Sequence, residues 1–215
     1  YSLERPGFNV APCAIRSAAT DQTTAIVLNH PGNPTGRVPD DEVLAEILRW
    51  ATDRDITWIS DETYELYTYD GDHLSARSAT PHPDSGIVCG GLSKSLHIMG
   101  WRIGWLVAND ELVEALKPLH QHLVTCAPTF AQAVAADIVP DLPTVFRPTL
   151  QTFRRRRQIV QNRLTDLVGV SPAPMDGAFY AMLDVRPHLD GDESDDDLAK
   201  RILRECNVAL IPGSG

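Results

Sequence analysis

The chain has 215 residues, is 43% hydrophobic and 22% charged, and carries a formal net charge of -10. This length can bury a substantial core and can form one or two domains. The acidic balance excludes a basic nucleic-acid surface, and no apolar run reaches the length needed to span a membrane. The four cysteines are scattered without metal-ligand spacing. We therefore expect a cytoplasmic protein with reduced thiols and no nucleic-acid, membrane or metal partner.

The first half of the chain alternates short apolar runs with helical patterns. Residues 24–28 form a β-branched apolar run, which predicts a buried strand, and the turn-rich segment 29–36 follows. Apolar residues recur at helical spacing over 40–54, and further strands are predicted at 55–60, 86–89 and 103–108. Strands separated by helices predict an α/β fold with a mostly parallel sheet and helices on both faces.

The second half is predicted to be mainly helical up to residue 167 and to mix strands with a helix after it. Helices are predicted at 110–125, 128–140 and 143–167, followed by a strand at 178–185, a helix at 195–206 and a strand at 208–211. We interpret the acidic run 190–197 as a solvated loop before a helix, because it lacks the ligand spacing of a calcium loop. The pattern predicts a large domain over 1–148 and a smaller α+β domain over 149–215.

Polar side chains follow three successive predicted strands. Asn33 comes after the first strand, Asp61 and Tyr64 after the second, and Lys94 after the third. Arg102 follows Lys94 by eight residues. In open α/β sheets, ligands bind outside the carboxyl ends of the strands. We therefore expect these side chains to converge on one crevice.

The five side chains supply an amine, a carboxylate, a phenol, an amide and a guanidinium, which is the set that pyridoxal 5'-phosphate (PLP) requires. An amine forms a Schiff base with the cofactor aldehyde, and a carboxylate facing the pyridine nitrogen makes the ring an electron sink. Lys94 is the best candidate of three lysines, because Lys117 and Lys200 lie in amphipathic helical patterns. Each residue alone also has a simpler interpretation as a cap, a core phenol, a turn residue or an ion-pair partner. Their joint order favours the cofactor site.

Several short motifs carry a family resemblance. They are Asn-Pro-Thr-Gly at 33–36, Asp-Glu-x-Tyr at 61–64, Ser-Lys at 93–94, Gly-Trp-Arg-Ile-Gly at 100–104, and supporting segments at 127–132 and 176–180. With these motifs the chain resembles the class I/II aminotransferase family of fold type I PLP-dependent enzymes. The resemblance extends over nearly all of the chain.

The resemblance implies a role for each site residue. Lys94 would be the Schiff-base lysine and proton shuttle, and Asp61 would pair with the pyridine nitrogen. Tyr64 and Asn33 would hydrogen-bond the phenolic oxygen of the cofactor, while Arg102, assisted by Ser93, would bind its phosphate. The implied reaction moves an amino group between an L-amino acid and a 2-oxo acid, in a homodimer.

The chain also departs from the family pattern. Gly91 stands where many relatives carry a serine that contacts the phosphate, and His97 and Met99 replace smaller residues. These departures leave open other PLP chemistry, namely elimination, cyclisation or oxidation of an amino acid. An effector-sensing, aminotransferase-like domain of a regulator is a further alternative. The family's Gly-rich phosphate loop and its carboxylate-binding arginine fall outside this sequence, so we expect both domains to be incomplete and the intact protein to be longer.

Overall fold

The computed structural model describes residues 7–214. Within this part, the helices are α1 (Pro12–Ala18), α2 (Asp41–Thr52), α3 (Ala76–Ala79), α4 (Leu92–Ser95), α5 (Asp110–Val124), α6 (Thr129–Ile138), α7 (Leu142–Thr165) and α8 (Asp195–Cys206). The strands are β1 (Ala25–Asn29), β2 (Thr57–Asp61), β3 (Gly86–Gly91), β4 (Gly104–Val107), β5 (Ser171–Pro172) and β6 (Leu183–Asp184). No helix in 7–214 combines the length and apolar composition needed to cross a bilayer.

The main sheet has the order β1-β2-β3-β4. The first three strands are parallel, and their register places Asn29 opposite Asp61 and Asp61 opposite Cys89. Strand β4 runs antiparallel to β3, with Gly91 opposite Gly104. The prediction of a mostly parallel sheet in an α/β fold is confirmed. The register aligns the carboxyl ends of β1, β2 and β3 at one edge, where the predicted site residues follow.

The main core lies between the first three strands and the helices α1, α2 and α3. Buried strand residues that alternate with exposed or half-buried ones point into it, as expected for a period of two. Its buried members are Ile15, Ile26, Leu28, Leu44, Ile47, Leu48, Ala51, Ile56, Trp58, Ala76 and Val88. Each large aliphatic side chain contributes about 1.5–3 kcal/mol on burial. On the other face of β1, Val27 is 59% exposed.

Two smaller clusters fix the helices around the carboxyl edge of the sheet. One packs Leu92 of α4 and Ile103 against α6 and the start of α7. The other packs Tyr64 and Tyr67 against Phe146 of α7 and against Ala178. The segment after β2 and the segment around residue 178 therefore share one core, although they are far apart in the chain.

Two strand predictions in the last third of the chain are wrong. Only Leu183–Asp184 of the predicted strand 178–185 is extended in a ladder, where it pairs with β5. Residues 176–180 instead pack as a loop on the segment 32–37, where the Gly177 amide donates to the Gly36 carbonyl. Residues 208–211 form no strand in the described part of the chain, and Ile211 is 89% exposed. The proposed boundary at 148/149 falls inside α7 and stays a prediction.

Candidate active site

The site is built on the aligned ends of β1, β2 and β3. Asn29 joins the first two ends, because its side-chain amide donates to the Asp61 carbonyl at 3.3 Å. The side-chain oxygen of Asn29, Oδ1, accepts a hydrogen bond from the backbone N–H of Asn33 at 2.6 Å. The loop that carries Asn33 is therefore tied to the strand end that carries Asp61. The Asn33 side chain itself is exposed and accepts or donates no hydrogen bond to another residue in 7–214.

Asp61 divides its carboxylate between two functions. Its Oδ1 accepts the backbone N–H of Thr63 at 3.1 Å and the Thr63 hydroxyl at 2.6 Å. These two hydrogen bonds cap the turn after β2. Its Oδ2 has no donor among the described residues, so one oxygen remains available for a ligand. The turn thus fixes the carboxylate while leaving an acceptor free.

Lys94 lies in the short helix α4, directly after β3. Its Nζ is 5.8 Å from the centre of the Tyr64 ring and 6.0 Å from that of Phe179. These are cation–π distances. A hydrogen bond fixes the Lys94 backbone, since the Tyr67 hydroxyl donates to the Lys94 backbone carbonyl at 2.9 Å. The amine therefore faces an aromatic surface that includes Tyr64.

Tyr64 is buried and hydrogen-bonded to the Tyr180 hydroxyl. Burial raises the pKa of the Tyr64 phenol well above its usual value, and the Tyr180 hydrogen bond and the Asp61 charge raise it further. The phenol consequently keeps its proton at neutral pH and can act as a donor. Phe179 and Tyr180 belong to the supporting motif at 176–180, and no role for either was predicted from the sequence.

Arg102 and Ser93 are the two site residues with the weakest links to the others. Arg102 takes a left-handed backbone conformation, φ 54°, and its guanidinium donates to the Met99 carbonyl at 2.8 Å. Non-glycine residues with positive φ are uncommon and cluster at functional sites. No hydrogen bond or ion pair in 7–214 joins Arg102 to Asp61, Tyr64 or Asn33. Ser93 is half-buried beside Lys94.

A buried polar network that the sequence did not indicate lies behind Asp61. His30 Nε2 is 3.0 Å from the Ser60 hydroxyl, which donates to Glu62 Oε1 at 2.9 Å. Glu62 Oε2 is 3.0 Å from His73 Nε2, and the rings of His30 and His73 stack at 5.1 Å. Burial alone would raise the pKa of Glu62, but hydrogen bonds from His73, Ala76 and Ser75 outweigh it and lower the pKa. Burial lowers the pKa of His30 to about 4, so its ring is neutral.

The residues present fit the cofactor that the sequence predicted. A free carboxylate oxygen on Asp61, a protonated phenol on Tyr64 and the Lys94 amine all lie at the carboxyl edge of the sheet. Next to Lys94, the Ser95 hydroxyl is buried without a hydrogen-bond partner in the described residues. A cavity of about 610 Å³ also opens beside Asn33, between the loop 32–37 and α2. Its lining does not include Lys94, so it is not the crevice in which the amine lies.

The fold and the strand-end residues define an α/β protein of the kind that binds a ligand at the carboxyl edge of a parallel sheet. The chain belongs to the family of class I and II aminotransferases, whose family model matches residues 5–215. It spans about half the length of the curated relatives that it matches.

Named relatives and solved structures agree with this membership. The chain is 34% identical over 212 residues to a probable aspartate aminotransferase of Methanocaldococcus jannaschii, covering 96% of this chain and 54% of that protein. It is 32% identical to an aspartate/prephenate aminotransferase of Thermus thermophilus, covering 99% and 54%. An aromatic aminotransferase from Pyrococcus horikoshii superimposes with a TM-score of 0.91 at 30% identity, covering 99% of this chain and 57% of that one.

Proposed function

We propose that the protein is a PLP-dependent aminotransferase that moves an amino group between an L-amino acid and a 2-oxo acid. The observation that carries this proposal is the placement of the Lys94 amine against the Tyr64 ring, at the edge where Asp61 keeps a free carboxylate oxygen. Membership of the aminotransferase family supports it. Several relatives are named aspartate aminotransferases, which makes aspartate the first amino donor to test.

Each site residue has a chemical task under this proposal. PLP, when bound, accepts the negative charge that develops at the substrate α-carbon. Lys94 would bind the cofactor aldehyde and, once displaced by the substrate amine, would take the proton from the substrate α-carbon and deliver it to the aldehyde carbon of the cofactor. Asp61 holds a proton at the pyridine nitrogen. Tyr64 and Asn33 donate to the phenolic oxygen, and Arg102 with Ser93 binds the phosphate.

Lys94→Ala tests the proposal directly. The native protein is expected to show a visible cofactor band that borohydride traps on Lys94, and the variant is expected to lose the band and nearly all transamination. Lys117→Ala is the matched control, because Lys117 is exposed and, within residues 7–214, pairs only with Glu114. A borohydride-trapped cofactor that survives in the Lys94 variant would contradict the assignment. Product analysis with and without an added 2-oxo acid separates transamination from elimination, cyclisation or oxidation.

We also propose a cytoplasmic homodimer. The four cysteines are free thiols, which agrees with a reducing compartment. Exposed apolar side chains on α5 and at the start of α6 offer a surface that a second copy can cover; they are Leu119, Leu123, Val124 and Phe130.

A further inference from the structure

The contact between Tyr64 and Tyr180 joins two parts of the chain that are 116 residues apart. The two hydroxyls are hydrogen-bonded, and the rings meet edge-to-face with centres 5.6 Å apart. Tyr64 is 4% exposed, so water does not replace this partner easily. The Tyr64 phenol, at the proposed cofactor site, is thus hydrogen-bonded to the Tyr180 phenol, for which the family motifs predicted no role.

Tyr180 is held in place by its own segment. The Gly177 amide donates to the Gly36 carbonyl at 2.8 Å, and the Tyr69 amide donates to the Asp176 carbonyl at 2.9 Å. The Tyr69 hydroxyl donates to the Ala178 carbonyl. A Cβ on Gly36 would lie 3.2 Å from the Tyr180 carbonyl oxygen, so the two segments are in close contact. The backbone that carries Tyr180 is therefore held both by the loop 32–37 and by Tyr69.

The number of available protons decides what this pair can do. A phenol carries one O–H donor and can also accept. If Tyr64 gives its only proton to the phenolic oxygen of the cofactor, Tyr180 must be the donor in the contact between the two hydroxyls. A hydrogen bond received by the Tyr64 oxygen also polarises the Tyr64 O–H and strengthens the bond that it donates.

We propose that Tyr180 is a positioning residue that donates to the Tyr64 hydroxyl oxygen and so directs the Tyr64 proton toward the phenolic oxygen of the cofactor. This proposal rests on the proposed function. It assigns Tyr180 an effect on the cofactor that passes entirely through Tyr64.

The test is a pH titration of the visible cofactor band in the native protein and in Tyr180→Phe, Tyr180→Leu, Tyr64→Phe and the double variant Tyr64→Phe/Tyr180→Phe. Donation to the phenolic oxygen favours its deprotonated form. Losing the Tyr180 hydroxyl should therefore raise the titration midpoint by about half a pH unit to one unit, the size of one modest hydrogen bond. Tyr64→Phe should raise it further, and the double variant should match Tyr64→Phe.

The variants separate the hydroxyl from the ring. Tyr180→Phe keeps the packing of the ring, so a purely structural role predicts an unchanged midpoint in that variant and a change only in Tyr180→Leu. That result overturns the proposal. A Tyr180→Phe shift that persists in full on the Tyr64→Phe background also overturns it, because Tyr180 would then act on the cofactor directly. Failure of cofactor binding looks different, since the native protein would then show no visible band. Failure of transamination alone would leave the band in place and would appear in the product analysis with and without an added 2-oxo acid.

Discussion

Asp61 shows how one side chain supports both the fold and the proposed chemistry. Its Oδ1 caps the turn at Thr63, whereas its Oδ2 is free among the described residues. Asparagine keeps an oxygen that can accept from Thr63, but it loses the charge. The effect of the charge can therefore be measured without unfolding the turn.

Asp61→Asn is expected to reduce the kcat for transamination by roughly 10²-fold or more, because a preorganised charge at the reacting group is lost. The melting temperature should change little. Steady-state kinetics with aspartate and a 2-oxo acid, combined with thermal unfolding, provides the measurement. Asp72→Asn, an exposed neighbour, serves as the control. Unchanged kcat in Asp61→Asn would remove the electron-sink role from this residue.

His30 and Glu62 make the folded state sensitive to acid. The pKa of His30 is lowered from 6.5 to about 4, so between these values the unfolded chain takes up a proton that the folded chain refuses. Stability is therefore lost as the pH falls through this window. Glu62, with its lowered pKa, adds a loss in the same direction below the ordinary glutamate value.

Urea unfolding at pH 7 and pH 4.5 measures the His30 contribution. We expect the native protein to lose on the order of 2 kcal/mol more than His30→Gln between these two pH values. Glutamine keeps a polar partner for Ser60 but does not titrate. An equal pH dependence in the two proteins would show that His30 is not a source of the acid sensitivity.

At the scale of elements, the contact between β3 and β2 depends on glycine at position 86, which has no side chain. A Cβ on Gly86 would lie 2.0 Å from the ring of Trp58, which is fully buried. Gly86→Ala is expected to reduce the free energy of unfolding by about 3 kcal/mol or more, since a fully buried ring must displace its packed neighbours to make room. Chemical denaturation measures the loss.

Gly100→Ala is the matched control, because a Cβ there meets no atom within 4 Å. Its free energy of unfolding should stay within about 0.5 kcal/mol of the native value. Equal stability of the two variants would mean that Trp58 repacks freely.

The elements of the first half could be predicted because their sequence patterns are local. The run that became β1 is apolar and is followed by a polar turn, and α2 has its apolar residues at helical spacing. The strand predicted at 178–185 failed because residues 176–180 pack against the loop 32–37, a contact that no local pattern reveals. The same reason explains why roles for Asp61 and Lys94 could be predicted from the sequence, whereas no role for Tyr180 could. Motif residues lie at strand ends, whereas Tyr180 meets Tyr64 across 116 residues.

At the scale of the whole molecule, the exposed apolar side chains on α5 bear on the assembly. Leu123 is 81% exposed and is expected to lie in the contact with a second copy. Leu123→Glu should convert a dimer to a monomer in sedimentation or light-scattering measurements, because an unpaired charge would be buried. Val168→Glu is the control, since Val168 is 91% exposed and lies outside this surface. A mass unaffected by Leu123→Glu would exclude α5 from the interface.

The contact between residues 32–37 and 176–180 has a consequence for synthesis of the protein on the ribosome. Strands β1 to β3 can pair as soon as they emerge, but the Tyr64 hydroxyl lacks its Tyr180 partner until more than a hundred further residues have been translated. Closing such a long loop is slow compared with local pairing. Nascent chains that stop before residue 176 would therefore contain a paired sheet whose candidate active site still lacks residues 176–180.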